Sequence, residues 1–371
     1  MLIHGPAFLI PALRRDHDLS LAQAGLVASA PIVGVMLALV LWGAVVDRRG
    51  ERFVLLAGTG TTAIAGLSAT LTTDPLLVGL ALLVAGGAAA STSSASGRIV
   101  VGWFPPRQRG LAMGIRHMSQ PAGVGIAAAT MATLALEHGI AVAMWVPTAA
   151  AFVTFVAVAM TVVDPPRPER TVVATANPYR GAGGVLGYLN RIHAVSVLLV
   201  IPQFLVWTFA LVWLVDERSW SPAAAGALVA VAQVIGASSR VIAGAISDRV
   251  GSRMRPMRAV AVAAAAVMAG LGLADALDSA LAVALLVAAT AITVADNSLA
   301  FTAVAERAGP FWSGRAFGAH NTAQYLAASA VPPVAGLLIT GVGYAGTFAL
   351  AALFPLLAVA LVPVADESPL G

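Results

Sequence analysis

Eleven apolar runs of about 20 residues each constrain this chain more than any other feature, because that length is what an α-helix needs to cross roughly 30 Å of hydrocarbon. Five lie near residues 21–46, 53–71, 76–102, 110–136 and 139–163, and six near 192–215, 222–247, 257–274, 279–304, 313–340 and 343–364. Backbone inside lipid must satisfy its own N–H and C=O groups, and helices do this within a single segment. The pattern therefore predicts an all-α polytopic membrane protein. Composition agrees: 59% of residues are hydrophobic and 10% charged, too apolar for a water-facing surface. Met1 to Leu13 is apolar but too short to cross, and the polar loop Arg14-Arg15-Asp16-His17-Asp18 follows it. We read this stub as the outer part of a truncated first helix that begins before Met1.

The charges give sidedness. The formal net charge is +4, with every basic residue an Arg, and in a soluble chain that balance would raise nucleic acid as a partner. Here the arginines gather in short loops, as the retention of Lys and Arg on the cytoplasmic side predicts. Arg48, Arg49 and Arg52, then Arg107 and Arg109, then Arg249, Arg253, Arg255 and Arg258 mark the rich loops. The alternate loops, at Asp74, Glu137-His138, Asp275 to Asp278 and Gly341 to Gly343, are poor. The rich side is thus expected to be cytoplasmic, with the C-terminus on that side of the plasma membrane and no nucleic-acid partner. The Pro-, Gly- and Arg-rich stretch 164–191 reads as a cytoplasmic linker between bundles at 1–163 and 192–371.

Chemistry-bearing motifs are sparse. There is no Cys, the six His are scattered, and neither a GxxxxGK[ST] phosphate loop nor an HExxH zinc pair occurs. These features argue against an ATP-driven pump, a metal centre or an enzyme, and no cofactor is expected.

The chain repeats itself. Shifted by 201 positions, Phe8 to Arg52 aligns without a gap on Phe209 to Arg253, with about 14 of 45 positions identical. The matches include Ser20 with Ser221, Gly43 with Gly244, Asp47 with Asp248, Arg48 with Arg249, Gly50 with Gly251 and Arg52 with Arg253. At an offset of 204, Gly110 pairs with Gly314, Gly114 with Gly318 and Gln120 with Gln324. Two parallel-related six-helix bundles joined by a linker form an arrangement that transporters use to hold a site between halves that rock.

The run Gly43-Ala44-Val45-Val46-Asp47-Arg48-Arg49-Gly50-Glu51-Arg52, repeated at Gly244 to Arg253, resembles the loop signature of the major facilitator superfamily. The resemblance covers essentially the whole chain. It implies the major facilitator fold, two pseudo-symmetric six-helix bundles, and a secondary transporter working by alternating access as a monomer. It also implies gating roles for Gly43, Asp47, Arg48, Gly50, Arg52, Gly244, Asp248, Arg249, Gly251 and Arg253, with each Asp held by an Arg and the positive end of a neighbouring helix. Arg98 resembles the family's Arg in the fourth helix and is the expected partner of Asp47; Arg240 is assigned to gating or packing. The run Trp103 to Arg116 is similar to the cyanate, nitroimidazole and nitrate-like porters. Nitrate porters carry a buried Arg in both the second and eighth helices, whereas here Arg240 is matched by Leu39.

Charges placed at membrane depth are expensive and normally face a cavity or a partner. Arg116 and Gln120, four residues apart on one helix face, have repeat mates His320 and Gln324, with His117 and Asn321 beside them. We expect this stripe to bind the substrate, with Arg116 recognising an anion. Asp296, the one carboxylate well inside an apolar run, is the candidate for proton coupling; Asn297 follows it. Proton-coupled transport of a small organic or inorganic anion is the reading these residues favour. Efflux of an amphipathic drug-like compound and a non-transporting ligand sensor are the alternatives.

Overall fold

The structure, a computed structural model, describes residues 1–167, 169, 176–179 and 187–367. Residues 168, 170–175 and 180–186 of the expected linker lie outside that set. A 3-10 turn, Gly5–Leu9, leads into α1 (Ile10–His17). Then follow α2 (Leu21–Arg49), α3 (Glu51–Thr70), α4 (Pro75–Trp103), α5 (Pro106–His138) and α6 (Ile140–Thr161). From Tyr188 onward come α7 (Tyr188–Asp216), α8 (Pro222–Val250), α9 (Met254–Ala276), α10 (Leu281–Ile292), α11 (Asp296–Ala308), α12 (Ser313–Ala351) and α13 (Leu353–Leu361).

Nine segments among the described residues are long and apolar enough to cross a membrane. The last, Ser313–Asp366, is broken at Gly343, whose φ of 73° no helix accommodates, so it is two crossings. With α5, whose Arg109, Arg116 and Gln120 dilute its hydropathy, the spans match the expected eleven. Met160 is 80% exposed and Leu337 77% exposed, apolar surface that belongs against lipid.

Two local results follow the repeat. Ser20 caps α2 in a capping box, its Oγ accepting the Gln23 amide at 3.2 Å while Gln23 Oε1 accepts the Ser20 amide at 2.9 Å. Its mate Ser221 caps α8 by accepting the Ala224 amide at 3.3 Å. At the other ends, Gly50 (φ 94°) and Gly251 (φ 65°) stop α2 and α8 in a conformation that side-chain-bearing residues resist. One expectation is corrected: Arg14 to His17 are not a loop. They form the last turn of α1, where basic side chains meet the negative end of the helix dipole, and Asp18 (φ 51°) ends it.

The chain packs as two compact units, and α5 and α12 each pass from one to the other. The first comprises Met1–Trp103, Ser119–Thr175 and Gly309–Thr322. Its core joins Leu9 and Leu13 to Leu82, Ala127, Met131 and Met144, so the short N-terminal helix is built into the packing. The second comprises Phe104–Met118, Ala176–Ala308 and Ala323–Gly371, with a core around Trp213, Met268, Leu271, Leu286 and Phe348.

The crossing expected at 279–304 is split into α10 and α11. Around residues 293–295 the ladder tightens, with the Ala295 amide reaching Ile292 O at 3.2 Å and that of Asn297 reaching Val294 O at 3.4 Å. Polar side chains take over carbonyls there: Thr293 Oγ1 donates to Ala289 O (2.7 Å) and Asn297 Nδ2 to Val294 O (3.3 Å). Such local bonds compete with the helix, and Asp296 then begins α11, where a carboxylate meets the positive helix end.

Candidate gate and transport site

In the first unit, the buried carboxylate of Asp47 at the end of α2 accepts the amides of Gly314 (2.9 Å) and Arg315 (3.1 Å) at the start of α12. Arg315 Nε adds a charged bond at 2.9 Å. In the second unit, Asp248 at the end of α8 accepts the amides of Gly110 (3.0 Å) and Leu111 (2.8 Å) near the start of α5. Residues matched by the repeat thus make matched clasps, each a carboxylate on the positive end of a helix. Glycines allow the approach: a Cβ built on Gly318 would lie 2.9 Å from Leu39 O, and one on Gly114 2.7 Å from Arg240 O. Gly43 and Gly244 meet the backbone of Gly314 and Gly110 more closely still.

The charges around the clasps differ. Arg253, 1% exposed, pairs with Asp248 and with Glu306 (3.1 Å) and also donates to Pro106 O. Its repeat mate Arg52 is exposed and donates to Ala159 O at 3.1 Å. Arg98 does not partner Asp47. It lies 3.6 Å from Glu51, which also holds Arg167 at 2.7 Å, while Asp47 takes Arg315. Glu51 sits one turn beyond Asp47 across the Gly50 corner and is fully buried, so it meets Arg98 first. Arg48 and Arg249 are exposed. Sequence reasoning did not find Glu51, Glu306 and Arg315, nor Asp164 and Glu367, which accept the amides of Arg52 and Arg253 that begin the next helices. The repeat held a signal for the last two: both acids close a half of the chain.

The expected substrate stripe is divided. Gln120, His320 and Asn321 belong to the first unit; there Gln120 Nε2 is 3.3 Å from His4 Nε2 and Asn321 donates to Phe317 O at 2.9 Å. His320 is fully buried. Arg116 and Gln324 belong to the second unit, inside a polar cluster built from five helices. Arg116 Nη1 lies 3.0 Å from His117 Nε2, and its guanidinium stands over the Phe301 ring at 5.7 Å. Arg240, 2% exposed on α8, donates to His117 O at 3.0 Å and stands over Trp207 of α7 at 5.9 Å, so both arginines converge on His117. Arg240 Nε and Trp207 Nε1 are buried donors with no hydrogen-bond partner among the described residues. Asp296 is 2% exposed, close enough to Arg240 for each to feel the other's charge. Gln324 donates to Asn297 Oδ1 (3.4 Å), and Asn297 donates to Gln203 Oε1 (3.2 Å).

Gln203 and Trp207 were not legible in the sequence, since polar and aromatic residues in an apolar run carry no direction until the helix is packed. Among the described residues no cluster of metal-ligating side chains occurs.

The family model of the Major Facilitator Superfamily matches residues 2–332. The chain belongs to the major facilitator superfamily. This superfamily member is 46% identical over 367 residues to the uncharacterized MFS-type transporter Rv2994 of Mycobacterium tuberculosis, covering 98% of the chain and 81% of that protein. Its fold is similar to the proton:xylose symporter XylE bound to 6-bromo-6-deoxy-D-glucose. The TM-score is 0.79 at 16% identity, over 100% of this chain and 94% of that one. It is also similar to the human organic anion transporter MFSD10 (TETRAN), with a TM-score of 0.74 at 18% identity over 97% of both chains. It is a multi-pass membrane transporter of the major facilitator type.

Proposed function

We propose that this transporter moves a small organic or inorganic anion across the plasma membrane by alternating access, coupled to protons and working as a monomer. The observation that carries the reading is a pair of cations, half-buried Arg116 and buried Arg240, converging on His117 with Asp296 close by. A buried guanidinium with an unused donor is costly unless something anionic meets it, and a transported anion is the group that would do so intermittently. Arg240, for which the sequence favours gating or packing, joins Arg116 in anion recognition on this reading. The linked amides of Gln203, Asn297 and Gln324 offer donors and acceptors to the uncharged part of the solute.

Asp296 supplies the coupling. A carboxylate beside an arginine can hold its charge against that arginine or take up a proton when an anion claims the arginine instead, so anion and proton would enter together. The solved relatives support both halves of this reading: XylE is a proton symporter and MFSD10 an organic anion transporter. The matched clasps of Asp47 and Asp248 would latch one of the alternating states, and the arginine-rich helix ends would lie on the cytoplasmic side with the C-terminus.

Purified protein in proteoliposomes tests the reading with radiolabelled small anions, sugars and a drug-like cation. Anion uptake driven by an imposed proton gradient is expected. Asp296→Asn should retain anion exchange but lose gradient-driven accumulation, and Arg240→Gln should lose both. Gln203→Leu should raise KM about tenfold with kcat little changed, as loss of one polar contact implies. Uptake of the cation alone, or unimpaired proton-driven accumulation by Asp296→Asn, would reject the proposal.

A further inference from the structure

At the start of α9, away from the transport cluster, Arg255, Arg258, Ala259, Val262, Ala263 and Val364 line an open groove. Arg255 and Arg258 are three residues apart and share a helix face, and both are exposed. Among the described residues neither guanidinium makes an ion pair. The nearby acids are occupied: Asp366 holds Arg191 at 2.7 Å, and Glu367 accepts Ser252 Oγ and the amides of Arg253 and Met254. Among the described residues, two positive charges are therefore left without an ion-pair partner at one lip of the groove.

The floor is apolar and membrane-facing. Ala259 lies one turn below Arg255 and Val262 one turn below Arg258, about 6 Å further along a helix that spans the membrane. Val262 is 52% exposed. A ligand that fills this groove needs a negative group at the helix start and an aliphatic body running down α9. A free phosphate or an acidic peptide offers only the first. We propose that this groove is a binding site for an anionic phospholipid, with Arg255 and Arg258 clamping the headgroup phosphate and the acyl chains lying over Ala259 and Val262. Basic pockets at membrane boundaries bind anionic lipid in this way, each Arg near the surface contributing roughly fivefold in affinity.

Native mass spectrometry of the delipidated full chain, titrated with phosphatidylglycerol and phosphatidylcholine, tests the site. Wild type should retain phosphatidylglycerol with at least about a tenfold preference, since two arginines contribute. Arg255→Gln/Arg258→Gln should lose that preference, and Arg255→Lys/Arg258→Lys should keep most of it. Arg14→Gln/Arg107→Gln removes the same charge elsewhere and should behave as wild type; melting curves check that every variant is folded. Preference unchanged in the glutamine pair, equal loss in the Arg14/Arg107 control, or displacement of the lipid by millimolar inorganic phosphate would overturn the assignment.

Discussion

The Asp47 carboxylate accepts the Gly314 amide at 2.9 Å across 267 positions of sequence. Asp248 repeats the bond on Gly110 at 3.0 Å, with each partner displaced by its own repeat offset. Geometry has kept what the duplication copied, although the side chains around the two clasps have diverged.

That divergence predicts unequal responses. Asp248→Asn removes the charge opposite Arg253, which is 1% exposed, and should cost about 2 kcal/mol or more even with Glu306 in place. Asp47→Asn faces Arg315, 39% exposed and partly screened by solvent, and should cost less than Asp248→Asn. Denaturation in mild detergent measures both; an equal or reversed order would count against the asymmetry.

Glu51 is fully buried and anchors Arg98, itself 4% exposed. Glu51→Ala should destabilise by about 3–5 kcal/mol because it strands a buried cation. Glu51→Gln/Arg98→Gln should recover much of that loss. A double-mutant cycle with no coupling between the two positions would show that the pair is incidental.

Gly114 gives a steric test. A methyl there would lie 2.7 Å from the Arg240 carbonyl, so Gly114→Ala should separate α5 from α8 locally at a cost of roughly 1–3 kcal/mol. Gly336 meets nothing within 4 Å, and Gly336→Ala should be neutral or stabilising. Melting temperatures of the two single variants should therefore move apart.

Sidedness can be read without transport. Green fluorescent protein fused after Gly371 should fluoresce, and alkaline phosphatase fused there should stay inactive, if the arginine-rich helix ends face the cytoplasm. An active phosphatase fusion would invert the orientation.

How much was legible follows from where each signal resides. Hydrophobic run length alone determined the helices, because lipid leaves a backbone no alternative, and the 201-residue repeat determined that Asp47 and Asp248 would hold matched positions. That helix starts would be their partners was implied by the resemblance to the major facilitator superfamily, not by the repeat. Which charges meet was decided only by tertiary structure: Arg98 went to Glu51 and Arg315 to Asp47, since ion pairing depends on which side chains the packing brings within a few ångströms. The break before Asp296 was hidden for a related reason. Thr293, Asn297 and Ser298 each tolerate a helix, and they interrupt this one together, with Ser298 Oγ tied to Arg240 O at 2.9 Å. Gln203 and Trp207 entered the site in the same way, because an apolar run fixes that a helix crosses the membrane while the direction each face points is set by its neighbours.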